Sequence, residues 1–227
     1  MSDATRDIPA TPREAFDLLT TGNLRFAAGA PRHPNQDAAR RAGTAVAQHP
    51  YAVVLGCSDS RLAAEIIFDQ GLGDLFVVRT AGHAVGAEVL GSIEYGVSVL
   101  GCPLVVVLGH DSCGAVAATR AAVQDGTTAR GYLRDVMERV TPSVLAAQAA
   151  GVSEDDGFIA THVRHTVDLL MDRSQELADR VASGRTAVVG LTYRLAEGSV
   201  RTVASRGLDL PPDGTAAPAV ASTSTVR

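Results

Sequence analysis

The chain of 227 residues contains no tryptophan, and phenylalanine and tyrosine bring the aromatic share to only 4%. Its core must therefore be filled by Ala, Val, Leu and Ile, which favours helices packed on a sheet. Three cysteines, an odd and small number, exclude a disulfide framework and make a reducing cytoplasm the expected setting. No apolar run approaches the roughly 20 residues of a spanning helix. The start, Met1 to Asp7, has no basic segment followed by an apolar stretch, so neither membrane anchor nor secretory signal is expected. A basic excess is missing too. The net charge of −5 provides no field to hold a nucleic acid or an anionic membrane, and neither is expected as a partner. There is no internal repeat, no Walker sequence and no serine nucleophile elbow, and Gly71-Leu72-Gly73 lacks the third glycine of a dinucleotide loop.

What is present is ample hydrophobic material, 46% of residues, enough for one sizeable core. A single domain is expected over residues 1–210. The tail 211–227, rich in Pro, Ala, Ser and Thr and without periodicity, is expected to stay disordered. Thr11-Pro12-Arg13-Glu14 reads as a capping box opening an N-terminal helical arm, interrupted at Gly22-Asn23, and two prolines in 29–36 make that stretch a loop. Short β-branched runs at 51–56, 75–79, 104–108 and 186–192 read as buried strands. Helical patterns lie between them at 62–70, 88–100, 113–123, 132–149 and 158–181. Residues 194–203, with a turn at Gly198, read as a hairpin or edge strand. The alternation predicts an α/β fold: a mainly parallel sheet of about four parallel strands plus an edge strand, flanked by helices, with ligands beyond the carboxyl ends of the strands.

Two of those strand ends carry candidate metal ligands. The first runs into Cys57-Ser58-Asp59-Ser60-Arg61, whose alternate residues share one side if the backbone stays extended. The second runs into His110-Asp111-Ser112-Cys113-Gly114. Cys57, His110 and Cys113 make the two-thiolate, one-imidazole set of a zinc site with one position open, and Asp59 is a candidate for that fourth position. Cys102, at a strand start, reads as a small core hydrophobe. His162 and His165 share a helix face and read as surface or packing residues. His83, in a glycine-containing loop, is a candidate proton relay near the site.

The two motifs, in their order and separation, resemble the paired signature of the β-class carbonic anhydrases. The similarity spans residues 11–205 and includes Arg79-Thr80-Ala81-Gly82, Gly91-Ser92-Ile93-Glu94-Tyr95 and Gly190-Leu191-Thr192-Tyr193. The resemblance implies a Zn2+ enzyme that interconverts carbon dioxide and bicarbonate by attack of a zinc-bound hydroxide, with Cys57, His110 and Cys113 as permanent ligands. It implies that Asp59 either closes the site by binding zinc or pairs with Arg61 and leaves room for water. Gln48, otherwise a solvated residue before a strand, would reach the neighbouring subunit's site and donate to a substrate oxygen, and Gly114 would offer a backbone N–H. The implied assembly is a homodimer or a dimer of dimers embraced by the N-terminal helix. Some enzymes of the class have a second bicarbonate site built from Trp, Arg and Tyr; Arg79 and Tyr193 match two of these, but Val54 stands at the third. Relatives of this fold that hydrolyse carbonyl sulfide or carbon disulfide give a second enzymatic reading. A zinc-stabilised scaffold domain gives a third, against which Arg61 argues.

Overall fold

A computed structural model describes residues 8–211 of the chain. The tail expectation falls almost wholly on 212–227, outside the described residues. Helix α1 (Pro12–Ala27) opens on the anticipated capping box: Thr11 Oγ1 accepts from Glu14 N–H at 3.2 Å, and Glu14 Oε2 accepts from Thr11 N–H at 3.1 Å. It is not interrupted at Gly22-Asn23. A Cβ on Gly22 would lie 1.8 Å from the Phe68 carbonyl oxygen, so glycine here permits close packing. Asn23 donates to the carbonyls of Ile67 and Gly198 and accepts from Val200 N–H. Both residues serve long-range contact, which overrides their weak helix propensity.

The order continues through α2 (Ala38–Gly43), β1 (Ala52–Cys57), α3 (Ala64–Ile67), β2 (Leu75–Thr80) and a 3-10 turn at Ala81–His83. Next come α4 (Ala87–Glu94), which widens into a π turn over Tyr95–Val99, then β3 (Leu104–His110), α5 (Gly114–Asp125) and α6 (Leu133–Ala149). The chain closes with α7 (Asp155–Arg173), α8 (Gln175–Ala182), β4 (Ala187–Tyr193) and β5 (Val200–Arg206). Two further expectations are corrected, and one helix is added. The helix expected over 62–70 is reduced to α3, because Asp69 turns left-handed (φ +47°) and Gly71 packs against the Pro34 carbonyl. The stretch expected as one helix over 158–181 breaks at extended Ser174, whose hydroxyl caps Leu177 N–H and donates to Glu94. Helix α2 was not anticipated; Asp37 caps it by accepting from Arg40 N–H at 2.7 Å.

The sheet order is β2-β1-β3-β4-β5, with β5 antiparallel and the other pairings parallel. Each of β1 and β3 is buried along its whole length, as expected for continuous apolar runs covered on both faces. Val54, Val106 and Val189 face a core closed by α1, α3, α5 and α6. Val53, Val105, Val107 and Val188 face a second core with Val89, Val163 and Leu177 from α4, α7 and α8. The strand order reverses direction across β1 and β3, and both end at the same edge of the sheet.

Candidate metal centre

Beyond that edge the chain assembles three buried ligand atoms. The donor atoms of Cys57 at the end of β1, His110 at the end of β3 and Cys113 before α5 all lie within 4.8 Å of one another. The donor set fits a metal ion. His110 Nδ1 lies 2.7 Å from the Asp111 carbonyl oxygen, which can only accept, so Nδ1 carries the proton. Nε2 then presents its lone pair, and it is buried with no hydrogen-bond partner. That is the tautomer a ligand requires. Of the two thiols, Cys57 is pushed down, chiefly by a hydrogen bond from Cys113, and Cys113 is pushed up by that same bond and by burial. The N–H groups of Ala115 and Val116 at the start of α5 favour the Cys113 thiolate, and the N–H of Gly82 donates to Cys57 Sγ at 3.3 Å.

Asp59 and Arg61 do not continue an extended strand. Asp59 Oδ1 accepts from the backbone N–H of Arg61 at 2.9 Å, a turn that folds the guanidinium back on its neighbour. Arg61 then grips both carboxylate oxygens, Nε to Oδ1 at 2.9 Å and Nη2 to Oδ2 at 2.7 Å. This fork holds the Asp59 carboxyl far below its ordinary range, outweighing partial burial. Oδ2 remains 3.9 Å from His110 Nε2, beside the ligand cluster and turned away from it by its own arginine.

Of the other expected site residues, Gly114 is exposed at the first position of α5, next to Cys113. Gln48 is exposed in the stretch between α2 and β1, and among the described residues its side chain has no partner. The structure does not bring it to this chain's own ligand cluster. His83 is buried with neither ring nitrogen bonded to protein, and burial, then His162 and His110, push it well below the ordinary imidazole range. A ring kept neutral without a donor or acceptor beside it is poorly suited to relay protons. His162 is buried, with both ring nitrogens in hydrogen-bond contact, and His165 is half-buried. Cys102 is a core residue, as expected, with its thiol pushed up to about 12 by burial.

One contributor escaped the sequence reading. Arg79 on β2 donates to the carbonyl oxygens of Cys57 (3.0 Å) and Asp59 (2.7 Å), bracing the turn that carries both residues. Its place in the quoted Arg79 to Gly82 motif was the available signal.

The carbonic anhydrase family matches residues 52–200, which contain the whole cluster. The chain belongs to the β-class carbonic anhydrases. It is 58% identical over 187 residues to carbonic anhydrase 2 of Mycobacterium tuberculosis, covering 82% of this chain and 90% of that one. Against the carbonic anhydrase of Mycolicibacterium smegmatis the identity is 56% over 191 residues, covering 84% and 93%. The crystal structure of a β-carbonic anhydrase of Aspergillus fumigatus superposes with a TM-score of 0.62 at 26% identity, covering 75% of this chain and 82% of that chain. Two tetrameric β-carbonic anhydrases of Sordaria macrospora share the fold, with a TM-score of 0.62 at 22% identity over 73% of this chain and 86% of theirs. This β-carbonic anhydrase is thus a lyase whose family reaction is the hydration of carbon dioxide, and its cysteine-histidine-cysteine cluster is able to hold a metal ion. No helix among the described residues is long and apolar enough to cross a membrane.

Proposed function

We propose that this enzyme hydrates carbon dioxide reversibly to bicarbonate and a proton on one Zn2+ per chain, held by Cys57, His110 and Cys113. The observation that carries the reading is His110 Nε2, buried and without a hydrogen-bond partner within 4.8 Å of two sulfurs, with Asp59 drawn aside by Arg61. Zinc, when bound, lowers the pKa of a water it holds toward about 7 and so supplies a nucleophile at neutral pH. The chain's residues do the rest. Arg61 keeps Asp59 ionised and off the ligand position, where its carboxylate would accept a hydrogen bond from a water at the metal and so orient it. Two thiolates donate more charge than imidazoles would, so activity rises toward alkaline pH.

Gln48 and Gly114 are the substrate-side donors in this reading. Gln48, exposed and unpaired in its own chain, acts in the site of a second copy, which makes a homodimer the smallest complete enzyme and a dimer of dimers its natural extension. The Sordaria macrospora enzymes are tetramers of the same fold. We place the protein in the cytoplasm, where free thiols persist.

Zinc analysis with stopped-flow hydration of carbon dioxide tests the reading. Cys57→Ser and Cys113→Ser should each lose metal and activity together, because a neutral hydroxyl is a much poorer ligand than a thiolate. Full zinc occupancy in both variants would sink the assignment.

A further inference from the structure

The 3-10 turn Ala81–His83 is held in a conformation that its own residues do not favour. Gly82 is left-handed (φ +61°), and a Cβ there would meet Ala115 Cβ at 2.8 Å, so only glycine fits. His83 is left-handed as well (φ +43°), which a histidine adopts at a cost. Something outside the turn must impose this shape, and the turn's reward is visible: its Gly82 N–H reaches Cys57 Sγ.

The outside element is α7. His162, in its first half, lies 2.8 Å through Nε2 from the Gly82 carbonyl oxygen and 2.8 Å through Nδ1 from Ser143 Oγ of α6. Its ring stacks on His83 with centroids 4.2 Å apart. A carbonyl can only accept, so Nε2 carries the proton. Burial pushes His162 down to about 4, so at neutral pH the ring is uncharged and Nδ1 is an acceptor. The Ser143 hydroxyl donates to the Val140 carbonyl at 2.7 Å and lies 2.8 Å from Nδ1, so its one proton is shared between those two acceptors. Two directed links result, His162 N–H to Gly82 C=O and Gly82 N–H to Cys57 sulfur, with the Ser143 hydroxyl supporting the far side of the ring.

We propose that His162, fixed in its tautomer by the Gly82 carbonyl and supported by Ser143, is a positioning residue for the metal centre, acting through Gly82 to aim a backbone donor at the Cys57 thiolate. It touches neither substrate nor ligand atoms. Its effect is to hold the thiolate in place and to draw charge from the sulfur. This rests on the zinc reading above.

Two readouts on the full-length holoenzyme test it. The first is the rate of zinc release to a chromophoric chelator. The second is the thiolate-to-metal charge-transfer absorption of the cobalt(II)-substituted enzyme, which a purely structural role would not move. His162→Phe keeps the ring's bulk and removes the donor. Zinc release should quicken about tenfold or more, the loss expected when an outer partner of a ligand is removed, and the cobalt band should shift to longer wavelength as the sulfur regains charge. His162→Gln, whose amide N–H can replace Nε2–H, should return both toward wild type. Ser143→Ala, which leaves the ring in place, should shift both in the same sense by less, and it decides the matter if His162→Phe does not fold. Wild-type release rate and band in His162→Phe, no rescue by His162→Gln, or an unaltered Ser143→Ala would each overturn the proposal. Wild-type protein that holds no zinc would overturn the zinc reading and this one together; zinc-loaded wild type with indifferent variants would remove this one alone.

Discussion

Two aspartate–arginine pairs in this protein use the same chemistry to different ends. Asp69 and Arg25, 44 residues apart, meet at 2.6 Å with the carboxylate side chain 1% exposed. Asp69 also accepts from the backbone N–H groups of Arg32 (3.0 Å) and His33 (2.8 Å), so one buried carboxylate ties α1, the loop after it and the end of α3 together. Asp59 and Arg61 are two residues apart, and Arg61 is 52% exposed. Their pair closes one local turn and leaves a carboxylate edge beside the metal ligands. Where the charge is buried and its partners come from distant segments, breaking the pair costs stability. Where it is exposed and local, the geometry matters more than the energy.

The comparison breaks most clearly at Asp69. Asp69→Ala leaves Arg25 and two backbone N–H groups without their carboxylate and should cost about 3 kcal/mol, lowering the melting temperature by roughly 10 °C, while the folded fraction keeps its activity. A thermal melt paired with a hydration assay decides it, and an unchanged melt would remove Asp69 as a staple. Arg61→Ala should do the reverse. With its cation gone Asp59 is free to compete for the metal, so activity should fall about tenfold or more with zinc content and melting temperature nearly unchanged. Undiminished activity would end the idea of a carboxylate gate.

Acid sharpens the contrast. Asp59 and Asp69 both titrate below their ordinary value; for Asp69 burial pulls upward but the hydrogen bonds from Arg32, Arg25 and His33 win. Their contribution is present above about pH 4, the carboxylate value in the unfolded chain, and is lost only as pH falls through the depressed folded values. His83 and His162 behave oppositely. Their folded values are lowered by burial, so below about pH 6.5 the unfolded chain binds protons that the folded chain refuses. Stability should therefore fall as pH drops from 6.5 toward 4, by about 0.7 kcal/mol per histidine between pH 7 and 6. Denaturant titrations across that range should lose about half this slope in His162→Gln; an identical slope would mean the histidine is already solvated. The smallest effect is expected at the tail. Removing residues 212–227 should change stability by less than about 0.5 kcal/mol and leave activity and assembly intact, as read by gel filtration and hydration assay.

Much of this enzyme was legible in one dimension because its determinants are local or periodic. Continuous β-branched runs told of strands buried on both faces, the Thr11 to Glu14 box marked where α1 starts, and Cys57, His110 and Cys113 declared themselves by donor chemistry and by their place at strand ends. The errors fell where a side chain's partner, near or far, decides the path of the backbone. Gly22 and Asn23 look like a helix break but make α1's contacts to Phe68, Ile67 and Val200. Cys57, Asp59 and Arg61 alternate as if extended, yet the Asp59 side chain captures the Arg61 N–H and turns the chain.

The sequence by itself determined the class of fold, the family and which residues form the candidate metal cluster, since apolar periodicity and donor type are properties of the residues themselves. Only the tertiary structure decided which tautomer His110 adopts, which carbonyls Arg79 braces, and that His162, a plain packing residue in the sequence, reaches through Gly82 to a cysteine 105 positions earlier in the chain. A hydrogen bond has a direction and a reach of about 3 Å, and neither can be read until the backbone has brought the partners together.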